Sequence, residues 1–224
     1  MIEQPFDIFR PFSNRVRVRL YDRSDGIASR ADLERLEGMT IADAEQPHGA
    51  VTTVVRSGGD TRVPGSDGLA TDARGIALVT RGADCQMFAV YDPTHDCGGV
   101  LHAGWKGLVA GAIPAFVDVL KREWGTDPAD LLVGAGPSLC FECGEFTDPT
   151  KELTGIDPKF FRARLADLCG IATEQFIAAG VKRNNVERHG DCTRCERDAW
   201  WSLRGGHKEY LQAGNQNALT FSLL

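Results

Sequence analysis

Apolar and polar positions along the chain fall into short alternating or wholly apolar runs, broken by a few stretches of helical spacing. Val16 to Leu20 alternates with arginine in Arg15-Val-Arg-Val-Arg19, which predicts a strand with one charged face. Residues 29–38, Ser-Arg-Ala-Asp-Leu-Glu-Arg-Leu-Glu-Gly, carry a compact helix signature. Ser29 is the N-cap, Asp32 stands three residues on, and Gly38 is the stop. Val51 to Val55 is β-branched and reads as a strand. Residues 57–68 hold four Gly and one Pro, which predicts a loop suited to a lid or a substrate-binding segment.

Further along, Gly75 to Thr80 and Gln86 to Tyr91 are apolar strands with Ala83-Asp84-Cys85 between them. Asp92-Pro93 opens a turn, and Gly99 to Ala103 is the next strand. Leu108, Ile113, Phe116, Val117 and Leu120 recur at helical spacing, so a helix is expected from near Gly107 to Trp124. Leu131 to Ala135 is a buried strand that runs into the turn Gly136-Pro137-Ser138. One or two helices are expected over residues 158–180, opened by Asp157 and Pro158, punctuated at Gly170 and Thr173, and stopped by Gly180. Ala218 to Ser222 is a final strand. Helices and strands alternate only in part. The expectation is therefore α+β: mixed β-sheets in one domain, not a doubly wound fold.

Composition adds little to this and charge adds an exclusion. The 224 residues are 42% hydrophobic and 25% charged, ordinary for a globular protein. A net charge of -6 gives no general pull toward nucleic acid. The first residues, Met1-Ile-Glu-Gln-Pro-Phe-Asp, have no cationic or apolar signal region, and no apolar run approaches the roughly 20 residues of a membrane span. The expected setting is cytoplasmic, with no membrane partner. In a reducing compartment the seven cysteines read as free thiols, metal ligands or a nucleophile.

Among them Cys85 stands out, at a bend after an apolar strand and beside Asp84. His102 ends a nearby strand, and Gly104 and Gly107 flank Trp105 where backbone must come close to a ligand or turn into a helix. A thiolate and a neutral imidazole are good ligands for a metal such as zinc; the same pair also suits a nucleophile and its base. His48, in the turn Gln46-Pro47-His48-Gly49, would complete a three-ligand set that leaves a fourth position for water or substrate. Zinc lowers the pKa of such a water to about 7.

Gln46-Pro-His48-Gly49, Ala83-Asp84-Cys85, His102-Ala-Gly-Trp-Lys-Gly107, Gly136-Pro-Ser138 and Cys192-Thr-x-Cys195 occur in this order. From about residue 40 to the C-terminus the chain thereby resembles the YfiH-like, or laccase-domain, family. That family was once labelled multicopper polyphenol oxidase and is also called peptidoglycan editing factor. The resemblance implies zinc on His48, Cys85 and His102. It implies phosphorolysis of adenosine, inosine, guanosine and methylthioadenosine, and hydrolytic deamination of adenosine. It also implies a β-sandwich core flanked by helices, like that of deamidating bacterial toxins, with a Cys-His pair at the cleft.

The chain departs from the family pattern at several points. Segment 1–40 lacks the usual Arg-Gly-Gly-Val-Ser, Asn-Leu-Gly and Gly-Asp-Asp motifs, so it reads as shortened or divergent, with Tyr21 to Gly26 a reduced remnant. Cys-Cys-Tyr-Glu appears as Glu142-Cys143-Gly144-Glu145, Phe-Ser-Tyr-Arg-Arg as Trp201-Ser202-Leu203-Arg204-Gly205, and Thr-Gly-Arg as Ala213-Gly214-Asn215. Two basic side chains are gone, which thins the cradle expected for phosphate.

The leading expectation is a zinc-dependent purine nucleoside enzyme, with copper as the lesser cofactor choice and a nucleoside and phosphate as small-molecule partners. His48, Cys85 and His102 would hold the metal and, with Asp84, do the catalysis. Asp84 or Glu145 would carry the proton, and Arg204, Ser138 and Glu145 would face the substrate. A Cys-His amide hydrolase acting on peptidoglycan precursors, a copper polyphenol oxidase and a non-catalytic metal- or nucleoside-binding protein are the competing readings. Cys140-x-x-Cys143 and Cys192-x-x-Cys195 have the pair spacing of a structural zinc site, but the intervening stretch 144–191 is longer than in the usual ribbons. Free thiols are the stronger reading there. His95 and His207 read as solvated, and Trp105, Trp200 and Trp201 as core.

Overall fold

The computed structural model describes residues 1–57 and 61–224, Thr61 by its backbone alone. Fourteen strands are found among the described residues. In chain order the first seven are β1 (Ile2–Glu3), β2 (Val16–Tyr21), β3 (Thr40–Ala44), β4 (Thr52–Val54), β5 (Thr61–Val63), β6 (Gly68–Thr71) and β7 (Ile76–Gly82). The rest are β8 (Gln86–Asp92), β9 (Cys97–Ala103), β10 (Leu132–Ala135), β11 (Phe161–Arg162), β12 (Leu165–Ala166), β13 (Val186–Arg188) and β14 (Asn217–Leu223). Two six-stranded mixed sheets result, in the orders β1-β2-β14-β7-β3-β5 and β13-β10-β8-β9-β6-β4.

The sheets pack face to face. Leu20, Leu78, Leu219 and Phe221 of the first meet Met87, Ala89, Tyr91 and Val100 of the second in one apolar layer. The alternate residues of the second sheet, Phe88 and Leu101, point the other way and pack on two helices, α3 (Ala112–Trp124) and α5 (Leu168–Ala178). Phe88 and Phe176 meet edge to face at 5.1 Å. Both faces of β8 are therefore buried, which is why Met87 to Tyr91 is an unbroken apolar run instead of alternating. On the outer face of the first sheet, Leu33 of α1 (Arg30–Glu37) packs with Ile41, Ala77 and Val79. The α+β sandwich flanked by helices is the fold expected from sequence.

Local chemistry explains the elements. Ser29 and Asp32 close a reciprocal capping box on α1, and Gly38 ends it in the left-handed region. At the Asp92-Pro93 turn, Asp92 accepts from the N–H groups of Thr94 and His95, closing the β8–β9 hairpin.

Three expectations need correction. The helix from Gly107 to Trp124 is two helices, α2 (Trp105–Val109) and α3, separated at Gly111 with φ of 77°. In one continuous helix Pro114 would meet the carbonyl of Ala110; a fresh start at Ala112 puts it in a first turn, where no N–H is needed. Over residues 158–180, Asp157 and Pro158 open only one 3-10 turn, the hairpin β11–β12 follows, and α5 begins after Asp167. Gly170 and Thr173 lie inside α5, and Gly170 N–H is the group that Asp167 caps. Within the expected loop 57–68, residues 58–60 lie outside the described residues, and Thr61–Val63 pairs with β3 as a parallel strand. Two further short helices, α4 (Pro149–Glu152) and α6 (Lys208–Gln212), complete the α-helical set among the described residues. None of the described helices is long and apolar enough to cross a membrane.

Candidate metal centre

Strand β9 carries the centre because its two neighbours end beside it. In the β8–β9 hairpin Met87 stands opposite His102 and Gln86 opposite Ala103. One step further, Cys85 meets Gly104. A Cβ at position 104 would lie 2.5 Å from the Cys85 sulfur, so only glycine lets the thiol approach the strand end. On the other side, β6 pairs with β9 up to Gly68 opposite Leu101. The pairing continues as His102 N–H donates to the Asp67 carbonyl at 2.9 Å.

Asp67 is fully buried and organises two of the three candidate ligands. Its Oδ1 accepts from the His48 N–H at 3.0 Å, and its Oδ2 accepts from the Gly49 N–H at 2.6 Å. This holds the His48 turn, whose φ of 66° lies in the left-handed region. The same Oδ1 lies 2.9 Å from His102 Nδ1. A carboxylate there fixes the proton on Nδ1 and leaves Nε2 as the free donor, the arrangement that orients a metal-ligating imidazole. The His48 and His102 rings are nearly perpendicular, 4.9 Å apart. The ligand atoms of His48, Cys85 and His102 all lie within 4.8 Å of one another.

The electrostatics match. Burial by itself would push the Cys85 thiol up, but hydrogen bonds and charge from His102 and His48 outweigh it and bring the thiol down to about 7. Burial would likewise lower His102, yet Asp67 and the Cys85 sulfur raise it to about 9. A thiolate and two imidazoles, one oriented by a buried carboxylate, form a donor set that fits a zinc ion with one position left open. Two His and one Cys are also the set of a copper site.

The cluster stands between two recesses, both lined by His48 and Cys85. One, of about 270 Å³, has apolar walls from Trp105, Leu139, Leu168 and Leu203, with Ser138 and Arg204 also in its lining. The other, of about 280 Å³, carries Arg62 and Arg81 beside Glu45.

The remaining residues singled out from sequence fall into distinct places. Asp84, with φ of 92°, accepts from Thr193 Oγ1, Ser202 Oγ and the Arg204 N–H. Its carboxylate ties the 193–204 segment to the Cys85 bend. The Arg204 guanidinium donates to the Cys143 carbonyl at 3.0 Å and lies over the Phe146 ring. Glu145 does not line the cleft. It is half exposed and paired with Arg164, because the Cys143 turn directs it to another face. Trp200 and Trp201 are buried as expected, whereas Trp105 lines the cleft. His95 pairs with Asp92, and His207 Nδ1 accepts from the Ser202 N–H, so neither is simply solvated. Sequence reading missed Asp67: its position becomes meaningful only once β6 lies beside β9.

A family model described as multi-copper polyphenol oxidoreductase laccase matches residues 22–221. The chain is 31% identical over 156 residues to a purine nucleoside phosphorylase of Streptomyces coelicolor, covering 69% of this chain and 64% of that protein. It is 31% identical over 157 residues to an adenosine deaminase of an unknown prokaryotic organism, covering 65% and 59%. The matched segment thus spans less than two thirds of either relative. The crystal structure of YlmD from Geobacillus stearothermophilus superposes with a TM-score of 0.77 at 23% identity, over 95% of this chain and 92% of that one, which shows a shared fold. With the sandwich, the cluster and the family match together, this chain belongs to the multi-copper polyphenol oxidoreductase laccase family, the YfiH-like proteins.

Proposed function

We propose that this protein is a zinc-dependent enzyme acting on purine nucleosides. One observation carries the reading: His48, Cys85 and His102 converge where an apolar recess and a cationic one meet. Zinc held by these three residues supplies a Lewis acid. The chain's own residues do the rest. Asp67 keeps the His102 proton on Nδ1 and so keeps Nε2 available. Trp105, Leu139, Leu168 and Leu203 offer apolar walls on which a purine ring can pack. Asp84 fixes the bend that carries Cys85 and the segment that carries Arg204.

For phosphorolysis the anion is drawn by Arg62 and Arg81 as well as Arg204. Part of the Arg81 charge is already spent on Asp43 at 2.8 Å. Deamination needs no phosphate and uses the same walls. The names of the Streptomyces and prokaryotic relatives support nucleosides as the substrate class.

The test is adenosine incubated with zinc-loaded protein, with and without phosphate, and the products resolved by chromatography. Adenine formed only with phosphate marks phosphorolysis; inosine formed without it marks deamination. Neither product, even at enzyme equal to substrate, overturns the reading. A second reading, copper-dependent oxidation of phenols, is favoured by the description of the family model and by the two-His, one-Cys set. Oxygen uptake by copper-loaded protein with a phenol, and no nucleoside turnover, would decide for it.

A further inference from the structure

A second cluster of metal-binding side chains lies outside the cleft. The turn after β10 carries Cys140 and Cys143, and the segment after β13 carries Cys192 and Cys195. All four sulfurs lie within 4.8 Å of one another. Cys195 Sγ is 3.6 Å from Cys143 Sγ and 4.0 Å from Cys140 Sγ. Four thiolates at the usual zinc–sulfur length of about 2.3 Å stand about 3.8 Å apart at the corners of a tetrahedron. A disulfide would need about 2.05 Å, and all four cysteines are free.

Backbone geometry supports the same ligation. The Cys140 N–H donates to Cys192 Sγ at 3.2 Å, the kind of contact that steadies a thiolate. The two turns are already joined by the Ser138–Cys192 bridge and by the Thr193 N–H donating to the Ser138 carbonyl. Cys143 and Cys192 are buried and Cys195 is exposed, so an ion can enter from the surface and find every position filled by protein. All-sulfur tetrahedral sites select zinc or iron. Four protein donors leave no open position, the arrangement of a structural zinc site.

We propose that Cys140, Cys143, Cys192 and Cys195 bind a structural zinc ion that clamps together the two turns forming one wall of the cleft. The clamp reaches the cleft through three contacts. Thr193 donates to Asp84 Oδ1, the Leu139 N–H donates to the Asp84 carbonyl, and Arg204 donates to the Cys143 carbonyl. The four cysteines are positioning residues, and Cys85 is what they position, by way of Asp84.

The test is metal counting on the full chain, purified under reducing conditions with zinc and then dialysed. The expected result is one zinc retained by Cys85→Ala/His102→Ala and lost from that double variant when Cys195→Ser is added. Cys195 is exposed, so the serine leaves the packing of the wall intact. Cobalt titrated into the double variant is expected to give the intense thiolate charge-transfer and ligand-field absorption of a tetrahedral all-sulfur site. One zinc that survives the double variant supports the clamp whatever the cleft holds, so failure of the cleft reading is separately visible. A double variant whose six remaining thiols all titrate on unfolding and that holds no metal, a disulfide among these four cysteines, or iron in place of zinc would overturn the proposal. If the double variant does not fold, native mass spectrometry of Cys195→Ser against the unaltered chain decides. Loss of one zinc supports the clamp, and equal zinc content overturns it.

Discussion

The two clusters of metal-binding side chains in this molecule contrast in every feature that separates a working centre from a brace. His48, Cys85 and His102 come from three separated segments, supply three donors, and open on two recesses. Cys140, Cys143, Cys192 and Cys195 come as two close pairs, supply four donors, and open on none of the cleft. Three donors leave room for a reacting group; four close the site. The first depends on a buried carboxylate for orientation, and the second on backbone N–H groups and on the turns themselves. The lesson is that ligand count and second-layer partner, more than ligand type, separate chemistry from architecture.

The comparison breaks first at Cys85 and His102. Replacing either with alanine should lower turnover by about 10³-fold or more, since it removes several kcal/mol of metal assistance. The melting temperature should stay close to that of the unaltered chain, which steady-state kinetics and a thermal scan check together. Gly104→Ala comes next. Its new methyl would sit 2.5 Å from the Cys85 sulfur, so the thiol must move off the strand end. Activity should fall about 10²-fold, with the cleft metal held more weakly and the four-cysteine metal kept. Asp67→Asn should weaken zinc at the cleft by about 10–100-fold, read by competition with a chelator, and leave the second cluster untouched.

Cys195→Ser should show the reverse pattern. We expect a loss of about 2–3 kcal/mol and a melting temperature lower by about 5–10 °C. Turnover should drop by no more than about tenfold, because the wall also has hydrogen bonds that do not involve the metal. If this variant instead lost activity as fully as Cys85→Ala, the division between centre and brace would fail.

A last contrast concerns pH. With no metal bound, Cys85 is lowered to about 7 and His102 raised to about 9. Alkylation of Cys85 should therefore climb as pH rises through about 7, and His102→Ala should move that climb upward. Zinc must displace the extra proton on His102. Its affinity should thus rise by about tenfold per pH unit between 7 and 9, where the thiol is already ionised, and more steeply below 7, where a second proton leaves. A pH-independent affinity would show that the thiolate and the imidazolium are not paired.

Much of this was legible in the chain. The α1 boundaries followed from Ser29, Asp32 and Gly38, because capping is decided within a few residues. The β8 and β9 strands and their turn followed from apolar runs around Asp92-Pro93. The three candidate ligands were picked out by residue type and by the motifs around them. Other features were hidden. Gly170 looked like punctuation and is the capped third residue of α5, since a single glycine reads alike in both settings. Glu145 looked like a site residue and faces elsewhere, because a turn's direction is set by what packs beneath it.

Whereas the sandwich was implied by the family resemblance, the sequence by itself determined an α+β fold of mixed sheets, the strand ends where chemistry sits, and the choice of His48, Cys85 and His102. These depend on periodicity, turn residues and side-chain chemistry, all of which are local. Only the tertiary structure decided that Asp67 stands behind His102, that Asp84 is an anchor, and that two distant C-x-x-C pairs share one space. Those facts arise from the register of β6 and β8 on β9 and from the meeting of the turns after β10 and β13. Register is fixed by burial of whole faces across the sandwich, a property of many residues at once that no short stretch of chain records.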